Sequence, residues 1–308
     1  MDKGHTPVLY HEAMEALSVT KDGLYFDATY GRGGHSRAIL AKLGQAGRLC
    51  VFDQDPDAIC HAQAWQQTDA RIRVISGPFT QMQTLAEEQG VVASVSGILM
   101  DLGVSSPQLD EAERGFSFLR EGPLDMRMDP TRGMSAEAWL QQVSQQQLQD
   151  ALKRYGEERF ARRIAQAIIK ARADTRIKTT TALAAIIAAA HPKWEKGKHP
   201  ATRSFQGIRI AINQELEVLP EALVQALHVL KPGGRLVVIS FHSLEDGIVK
   251  RFIQKEAKGD IWPEGLPVTA DMINPTLKKI GKAVRAGQQE LGENPRARSA
   301  IMRIAEKL

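Results

Sequence analysis

The chain has 308 residues, of which 43% are hydrophobic and 25% are charged, a balance typical of a folded globular protein and not of a disordered one. No apolar run reaches the roughly 20 residues of a membrane span, and residues 1–10 lack a secretion-signal pattern, so no membrane partner is expected. Cys50 and Cys60 fall in a predicted strand and a predicted helix. We interpret them as reduced, apolar side chains, which predicts a cytoplasmic protein.

The basic residues are unevenly distributed along the chain. Between Ala112 and Ser204 there are 17 Lys and Arg residues against 10 Asp and Glu, whereas the rest of the chain has 23 against 26. A basic segment in an otherwise mildly acidic chain indicates a polyanionic partner, and the alternative is an ordinary solvated helical surface.

The first hundred residues alternate between apolar strands and helices. The predicted strands are Leu24–Thr29, Arg48–Asp53, Ile72–Ser76 and Gly97–Leu102. The helices predicted between them are His35–Leu43, Pro56–Trp65 and Gln81–Glu88. Such an alternation predicts a parallel sheet with helices on both faces.

The pattern then changes to a loop and a helical block. Residues 113–133 are rich in glycine, proline and charge and predict a long loop. Ser144 and Gln147 have the spacing of a capping box, which predicts a helix start. A second helix, with Arg159, Arg162 and Arg163 outside its apolar stripe, precedes a third near Thr181–Ala190. Lys193–His199 predicts a loop.

The alternating pattern resumes near Phe205. One helical face continues to Leu219, and Pro220 predicts a new or kinked helix that reaches Leu230. The strand Arg235–Phe241, a helix at Leu244–Gln254 and a last strand at Ser299–Glu306 follow. We therefore predict a doubly wound, Rossmann-like sheet formed by residues 1–111 and 205–308, interrupted by a basic, helical, RNA-binding domain at residues 112–204.

Three features are expected at the carboxyl ends of the strands, where open α/β sheets bind ligands. A glycine-rich turn, Asp27–His35, follows the first strand, and Asp53 and Asp101 close the second and fourth strands. Asp27 suits the amino group of S-adenosylmethionine (AdoMet) better than a pyrophosphate, so AdoMet is favoured over NAD. The alternative for Asp53 is that it caps a helix. The alternative for the glycines is that they form only a tight turn. Phe79 stacks on an adenine or lies in the core.

The stretch from Asp101 to Gln108 partly resembles the Asp/Asn/Ser-Pro-Pro-aromatic motif of enzymes that methylate exocyclic amines. Ser106-Pro107 is present, but the second proline and the aromatic are absent, so the stacking aromatic is sought elsewhere. The candidates are Phe241, Phe116 and Phe118. We predict that Asp101 accepts a hydrogen bond from the amine and localises its lone pair toward the methyl group.

Other polar residues have two interpretations. His242 contacts the target base or is structural. The Arg-rich helix grips phosphates around an unstacked base or is simply solvated. Because the histidines are scattered and no cysteine pair lies beside them, no metal is expected. The competing functions are methylation of another nucleic acid, NAD-dependent oxidation, and a non-catalytic RNA-binding assembly factor.

Several long motifs together resemble the bacterial RsmH (MraW) family and run in that family's order. They are His5–Leu9, Tyr30–Ser36, Asp101–Asp110, Arg114–Phe118, Gly122–Pro130, Tyr155–Arg159, His199–Gln206, Ser240–Asp246 and Asn294–Ser299. The resemblance implies a class I AdoMet-dependent methyltransferase with an inserted helical domain. It also implies that the enzyme methylates N4 of a cytidine in the decoding region of bacterial small-subunit (16S) ribosomal RNA.

The resemblance also implies site residues and partners. The AdoMet contacts would be Gly33, Gly34, His35, Asp53, Phe79, Asp101 and Gln108. From the residues themselves we predict a catalytic group of Asp101, Phe241 and His242, and RNA binding by Arg159, Arg162, Arg163 and Arg203. The partner would be small-subunit rRNA or the assembled subunit, and a homodimer is compatible with the sequence.

Overall fold

A computed structural model describes residues 7–194, 197, 199–260 and 273–308. His5 and Thr6 of the first motif, and three residues of the predicted loop Lys193–His199, lie outside the described residues. The chain forms two compact units, one within Met1–Gly103 and Leu216–Leu308 and one within Val104–Glu215. No helix in the described part of the chain is long and apolar enough to cross a membrane.

The first unit is built on a mixed sheet. Its strands are β1 Leu24–Asp27, β2 Arg48–Asp53, β3 Ile72–Ser76, β4 Val95–Asp101, β5 Leu230–Ser240, β6 Leu277–Val284 and β7 Ile301–Lys307. They lie in the order β3-β2-β1-β4-β5-β7-β6. Strands β1 to β5 are parallel, and β7 is antiparallel to both β5 and β6. The predicted Rossmann-like, doubly wound sheet is confirmed.

Helices cover both faces of this sheet. The helices of the first unit are α1 Tyr10–Leu17, α2 Gly34–Lys42, α3 Pro56–Gln66, α4 Met82–Glu88, α11 Glu215–Val229, α12 Ser243–Lys258 and α13 Gln288–Glu293. Alternate strand residues bury into two separate clusters: Tyr25 and Val51 pack with α1, α2 and α3, whereas Phe26 and Phe52 pack with α4, α11 and α12. The strands are apolar on both faces because each face is covered.

The second unit is helical. Its helices are α5 Ser106–Asp110, α6 Ala136–Gln142, α7 Gln145–Arg154, α8 Ala161–Asp174, α9 Thr180–Ala190 and α10 Thr202–Asn213. The predicted capping box begins α7: the Gln147 N–H donates to Ser144 Oγ at 3.2 Å, and the Ser144 N–H donates to Gln147 Oε1 at 3.1 Å. Phe205 and Ile208 of α10 are buried in this unit's core, and Val104 and Leu109 pack against it. The unit therefore extends beyond the predicted bounds 112–204 at both ends.

The break between α10 and α11 differs from the prediction. The chain turns at Gln214, which has a left-handed φ of 52°, whereas Pro220 lies inside α11. Asn213 is fixed by tertiary contacts, since its Nδ2 donates to the Met126 carbonyl at 2.8 Å. Pro220, which removes one hydrogen bond of the helix ladder, is therefore accommodated within α11 and does not begin a new helix.

Candidate active site

Strands β1, β2, β4 and β5 end at one edge of the sheet. The connection reverses direction between β1 and β4, which lie side by side although β2 and β3 separate them in the chain. Open α/β sheets bind ligands at such a switch point. Asp27, Asp53 and Asp101 are the last residues of β1, β2 and β4, so the structure brings the three predicted acids to this edge.

The glycine turn between β1 and α2 is shaped for close approach of a ligand. Gly33 has a left-handed φ of 71°, and a Cβ built on it would lie 2.6 Å from Cε2 of the buried Tyr30 ring. Gly34 is the first residue of α2, and a Cβ there would collide with Pro7. No side chain therefore projects from either residue, and the backbone N–H groups of the helix start remain available to an anionic or polar ligand.

Asp27 braces this turn from within. Its side chain is 1% exposed, and its carboxyl accepts hydrogen bonds from Ser36 Oγ at 2.5 Å and from the Thr29 N–H at 3.2 Å. Burial raises its pKa to about 6, against the opposing effect of these two hydrogen bonds. The structure therefore supports a bracing role for Asp27 in this turn. It supports the predicted contact between Asp27 and a ligand amino group less directly.

Asp53 joins the glycine turn to the end of β2. Its carboxyl accepts hydrogen bonds from the Gly31 N–H at 2.8 Å and the Asp55 N–H at 2.9 Å. Burial raises its pKa to about 6, and these hydrogen bonds oppose the shift. Asp55, not Asp53, caps α3, because the Asp55 carboxyl accepts from the Asp57 N–H. The helix-cap alternative for Asp53 is therefore wrong.

Phe79 lies beside the end of β2. The Gly77 N–H donates to the Asp53 carbonyl at 2.8 Å, which ties the turn after β3 to that strand. Phe79 begins a short 3-10 helix, is partly buried and packs against the cluster that contains Phe52. Part of the ring is thus in the core and part remains accessible.

Asp101 and His35 form a pair at the switch point. Asp101 Oδ2 lies 3.7 Å from His35 Nε2, and the Asp101 side chain is 25% exposed. Asp101 Oδ1 and His35 Nε2 are both buried and have no hydrogen-bond partner among the described residues. A buried polar atom without a partner is costly in a folded protein, so a ligand that completes these hydrogen bonds would bind here with advantage.

The electrostatic environment keeps this pair uncharged at neutral pH. Burial, together with the negative charges of Asp27 and Glu245, raises the pKa of Asp101 to about 8. Burial lowers the pKa of His35 to about 4. A carboxyl with such a pKa is a stronger proton acceptor than an ordinary aspartate once it is ionised.

The end of β5 carries Phe241 and His242. The Phe241 ring lies against Gly103, where a Cβ would be 3.8 Å from Phe241 Cδ2, and so beside the strand end that bears Asp101. His242 Nδ1 accepts from the Glu245 N–H at 3.4 Å, and His242 Nε2 lies 3.1 Å from Glu245 Oε1. Glu245 Oε2 accepts from the Phe241 N–H at 2.9 Å. His242 is therefore held by Glu245 at the start of α12, which favours a positioning role over direct contact with a base.

Two residues of the site have supporting roles that the sequence did not predict. Thr29 Oγ1 accepts from the Asp101 N–H at 2.6 Å and so joins β1 to β4. Glu245 is buried beneath Phe241 and His242, whereas its place in the first turn of a helix suggested a favourable dipole interaction or a substrate contact. Both roles depend on which strands become neighbours, which the local sequence does not contain.

The remaining predicted site residues lie in the second unit. Gln108 is buried, and its Oε1 accepts from the Ser105 N–H at 2.9 Å, which caps α5. Phe116 is buried in the core of that unit, and Phe118 packs against His199 and Phe205. The structure therefore favours Phe241 over Phe116 and Phe118 as the stacking aromatic.

The arginines of the second unit separate into two groups. Arg159, Arg162 and Arg163 are exposed and make no ion pair with a described residue. Arg203 is only partly exposed. Arg172 of α8 donates to the carbonyls of Leu140 and Val143 and so caps the end of α6. No group of His, Cys, Asp or Glu within the described ranges has the arrangement of a metal site.

The sheet order, the glycine turn after β1 and the acids that close β2 and β4 define a class I AdoMet-dependent methyltransferase. The family model of the MraW methylases matches residues 2–308, and the chain belongs to that family. It is 54% identical to the ribosomal RNA small subunit methyltransferase H of Chromohalobacter salexigens over 308 residues, which cover all of this chain and 92% of the relative.

Solved structures resemble the chain remotely. A proposed rRNA methylase from Clostridium thermocellum is 12% identical, with a TM-score of 0.46 and coverage of 99% of this chain and 100% of that one. An rRNA methylase from Streptococcus thermophilus is 13% identical, with a TM-score of 0.40 and coverage of 97% and 93%.

Proposed function

We propose that this methyltransferase transfers a methyl group from AdoMet to the exocyclic N4 of a cytidine in the decoding region of bacterial 16S rRNA, in the cytoplasm. The small-subunit rRNA specificity of the 54% identical relative supports the class of substrate. The observation that carries the reaction is Asp101, whose carboxyl stands at the switch point with an unpartnered buried oxygen and a raised pKa.

The residues at the carboxyl edge fit AdoMet. The cradle at Gly33, which a Cβ would fill, suits the methionine end, and Asp53 can accept hydrogen bonds from both ribose hydroxyls. Phe79 offers a partly exposed ring to the adenine. We assign AdoMet binding to Gly33, Gly34, His35, Asp53, Phe79, Asp101 and Gln108. When bound, AdoMet supplies a methyl group on a positively charged sulfonium.

Asp101 increases the nucleophilicity of the target amine. The lone pair of cytosine N4 is delocalised into the ring, so the amine is a poor nucleophile. The ionised Asp101 carboxyl accepts a hydrogen bond from N4, localises that lone pair and takes the proton that N4 loses as it gains the methyl group. Phe241, next to Gly103, holds the flipped base over this carboxyl by stacking.

The rate should depend on pH through Asp101. The carboxylate is the active form, so we expect kcat/KM for AdoMet, which reports the free enzyme, to rise about tenfold per pH unit toward pH 8 and then level off. Ionisation of Asp27 and Asp53, whose pKa values are about 6, contributes a separate limb to the pH profile of kcat/KM at lower pH. The measurement is initial rates between pH 5 and 9.5. The limb near pH 8 should be absent in Asp101→Asn, and its persistence there would contradict the assignment.

The exposed arginines of α8 and its preceding loop are proposed to bind RNA phosphates. Reversing Arg159, Arg162 and Arg163 to glutamate should weaken RNA binding at least about tenfold at 0.15 M salt and reduce the slope of log affinity against log salt by about 2. Filter binding over a salt series measures both.

The matched control reverses Lys21, Lys42 and Lys231, three exposed lysines at the opposite edge of the sheet, where the parallel strands begin. It carries the same change of net charge, and its RNA affinity should stay near that of the unmodified chain. Equal effects of the two variants would show that only net charge matters and would remove the arginines from the site.

The function itself is tested by product analysis. The protein is incubated with labelled AdoMet and either unmodified small ribosomal subunits or naked 16S rRNA, and the methylated nucleoside is identified by mass spectrometry of digested RNA. N4-methylcytidine in a single decoding-region oligonucleotide is the expected product, and the two arms identify the form of the substrate. Binding of AdoMet without methylation of either RNA would overturn the proposal.

A further inference from the structure

A second positively charged surface lies on the methyltransferase unit itself, between α12 and β6. Lys250, Arg251 and Lys258 of α12 and Lys278, Lys279 and Lys282 of β6 are all exposed. None of these six cations makes an ion pair or a hydrogen bond with a described residue. The near balance of charge outside residues 112–204 conceals this local excess.

The acids on the same elements are paired and do not offset it. Asp246 binds Arg303 through both carboxyl oxygens, at 2.7 and 2.9 Å, and Glu306 lies 2.9 Å from Arg235. Glu245 is buried beneath the loop before α12, and Glu256 Oε1 lies 3.7 Å from Lys255 Nζ, a lysine outside the group of six. The carboxylates of α12 and β7 are thus occupied, and β6 carries no acid.

Two of these cations, Lys250 and Lys279, line a shallow groove between α12 and β6. Gln254 and Arg303 also line it, and Ile253 of α12 lies buried beneath it. β6 is the last strand of the sheet, with no strand beyond it. Exposed cations on both α12 and β6 suit a sugar-phosphate backbone, whose phosphates need cations.

One end of this surface lies at the catalytic edge, whereas Lys278 and Lys279 lie level with Arg235 and Leu236 of β5. α12 starts directly after His242, and Lys250 lies eight residues further on, about 12 Å along the helix axis. Because β7 is antiparallel to both β5 and β6, β6 ends at the same edge as β5. Val284 pairs with Met302, which pairs with Ile239, next to the strand end that leads to Phe241.

We infer that the groove between α12 and β6 holds the backbone of the RNA strand that carries the target cytidine, on one side of the flipped base. This inference rests on the proposed function, since it assigns a path to the same RNA. The lysines of β6, the outermost strand of the sheet, also have an alternative role. Lysines on an outermost strand prevent the addition of a strand from another molecule.

The experiment compares two triple variants. Lys250→Glu/Lys279→Glu/Lys282→Glu changes the groove, and Lys21→Glu/Lys42→Glu/Lys231→Glu makes the same charge change at the opposite edge of the sheet. The probe is a labelled RNA oligonucleotide of the decoding-region sequence, measured by fluorescence anisotropy over a salt series. AdoMet binding is measured by calorimetry, and the oligomeric state by light scattering.

The groove variant should bind RNA at least about tenfold more weakly at 0.15 M salt, with the salt slope reduced by about 2 and AdoMet affinity unchanged. The control variant should retain the original values. Unchanged RNA affinity, or equal loss in both variants, overturns the inference. So does a groove variant that only dissociates a dimer, since the surface would then hold a second copy of the chain. The proposed function is tested separately, by methylation of RNA by the unaltered protein. If that protein methylates RNA, the proposed function stands whether or not the groove variant loses RNA affinity. If it methylates no RNA, the proposed function fails, whatever the groove variant does.

Discussion

Replacing Asp101 with asparagine is expected to lower turnover by about 10²- to 10⁴-fold at saturating AdoMet and RNA. An amide can still accept a hydrogen bond from N4, but it cannot take a proton, and its oxygen carries no charge to localise the lone pair. AdoMet affinity at pH 7 should change by less than about tenfold, because the raised pKa makes the native carboxyl neutral there, much like an amide. Single-turnover kinetics and calorimetry separate the two quantities.

The control for this variant is Asp22→Asn, the same chemical change at an exposed residue before β1, at the other end of the sheet. It should leave both turnover and AdoMet affinity unaltered. Full turnover of Asp101→Asn would exclude Asp101 as the proton acceptor, and a parallel loss of turnover and AdoMet affinity would make it a binding residue only.

Gly33→Ala is expected to weaken AdoMet binding by about 100-fold or more. A left-handed conformation costs a residue with a Cβ about 1–2 kcal/mol, and this Cβ would also lie 2.6 Å from the Tyr30 ring. The ring cannot move freely, because Tyr30 is buried and its hydroxyl lies 2.7 Å from His61 Nδ1. The turn must therefore move away from the conformation that binds AdoMet. A loss of about 2.7 kcal/mol of binding free energy corresponds to a 100-fold lower affinity. Calorimetry with AdoMet measures the effect.

Gly90→Ala is the matched control for strain. Gly90 has a similar φ of 64°, but no described atom lies within 4 Å of a Cβ built there. This variant should lose about 1–2 kcal/mol of unfolding free energy and bind AdoMet normally. If Gly33→Ala also binds AdoMet normally, the cradle at Gly33 is not part of the cofactor site.

The sheet was largely predictable because its strands are buried on both faces. Arg48–Asp53 and Ile72–Ser76 match the observed β2 and β3, since continuous apolar runs between helices have few other interpretations. β6 escaped prediction because its sequence, LKKIGKAV, is mostly exposed and cationic. An edge strand keeps one side in solvent, so it lacks the apolar pattern on which such predictions depend.

The acids of the site could be predicted from the sequence. The residues that hold those acids in place were less predictable. Asp53 and Asp101 close strands, and strand ends can be read from the sequence. That Asp55 and not Asp53 caps α3 depends on the geometry of two turns. Likewise, the pairing of Thr29 with Asp101 joins strands that are 72 residues apart. The place of Phe205 and Ile208 in the second unit reflects long-range packing that a local helical period does not specify.

The carboxyls at the switch point have a consequence for the balance between stability and turnover. Asp27, Asp53 and Asp101 have folded pKa values of about 6, 6 and 8, all above the ordinary value of 3.8. The folded chain therefore binds more protons than the unfolded one, and the stability that is complete below about pH 4 is lost progressively as pH rises through 6 and 8. A cationic ligand relieves this growing repulsion. Methyl transfer removes the sulfonium charge from the donor, so we expect the affinity for AdoMet, relative to that for the demethylated product, to increase as the pH rises.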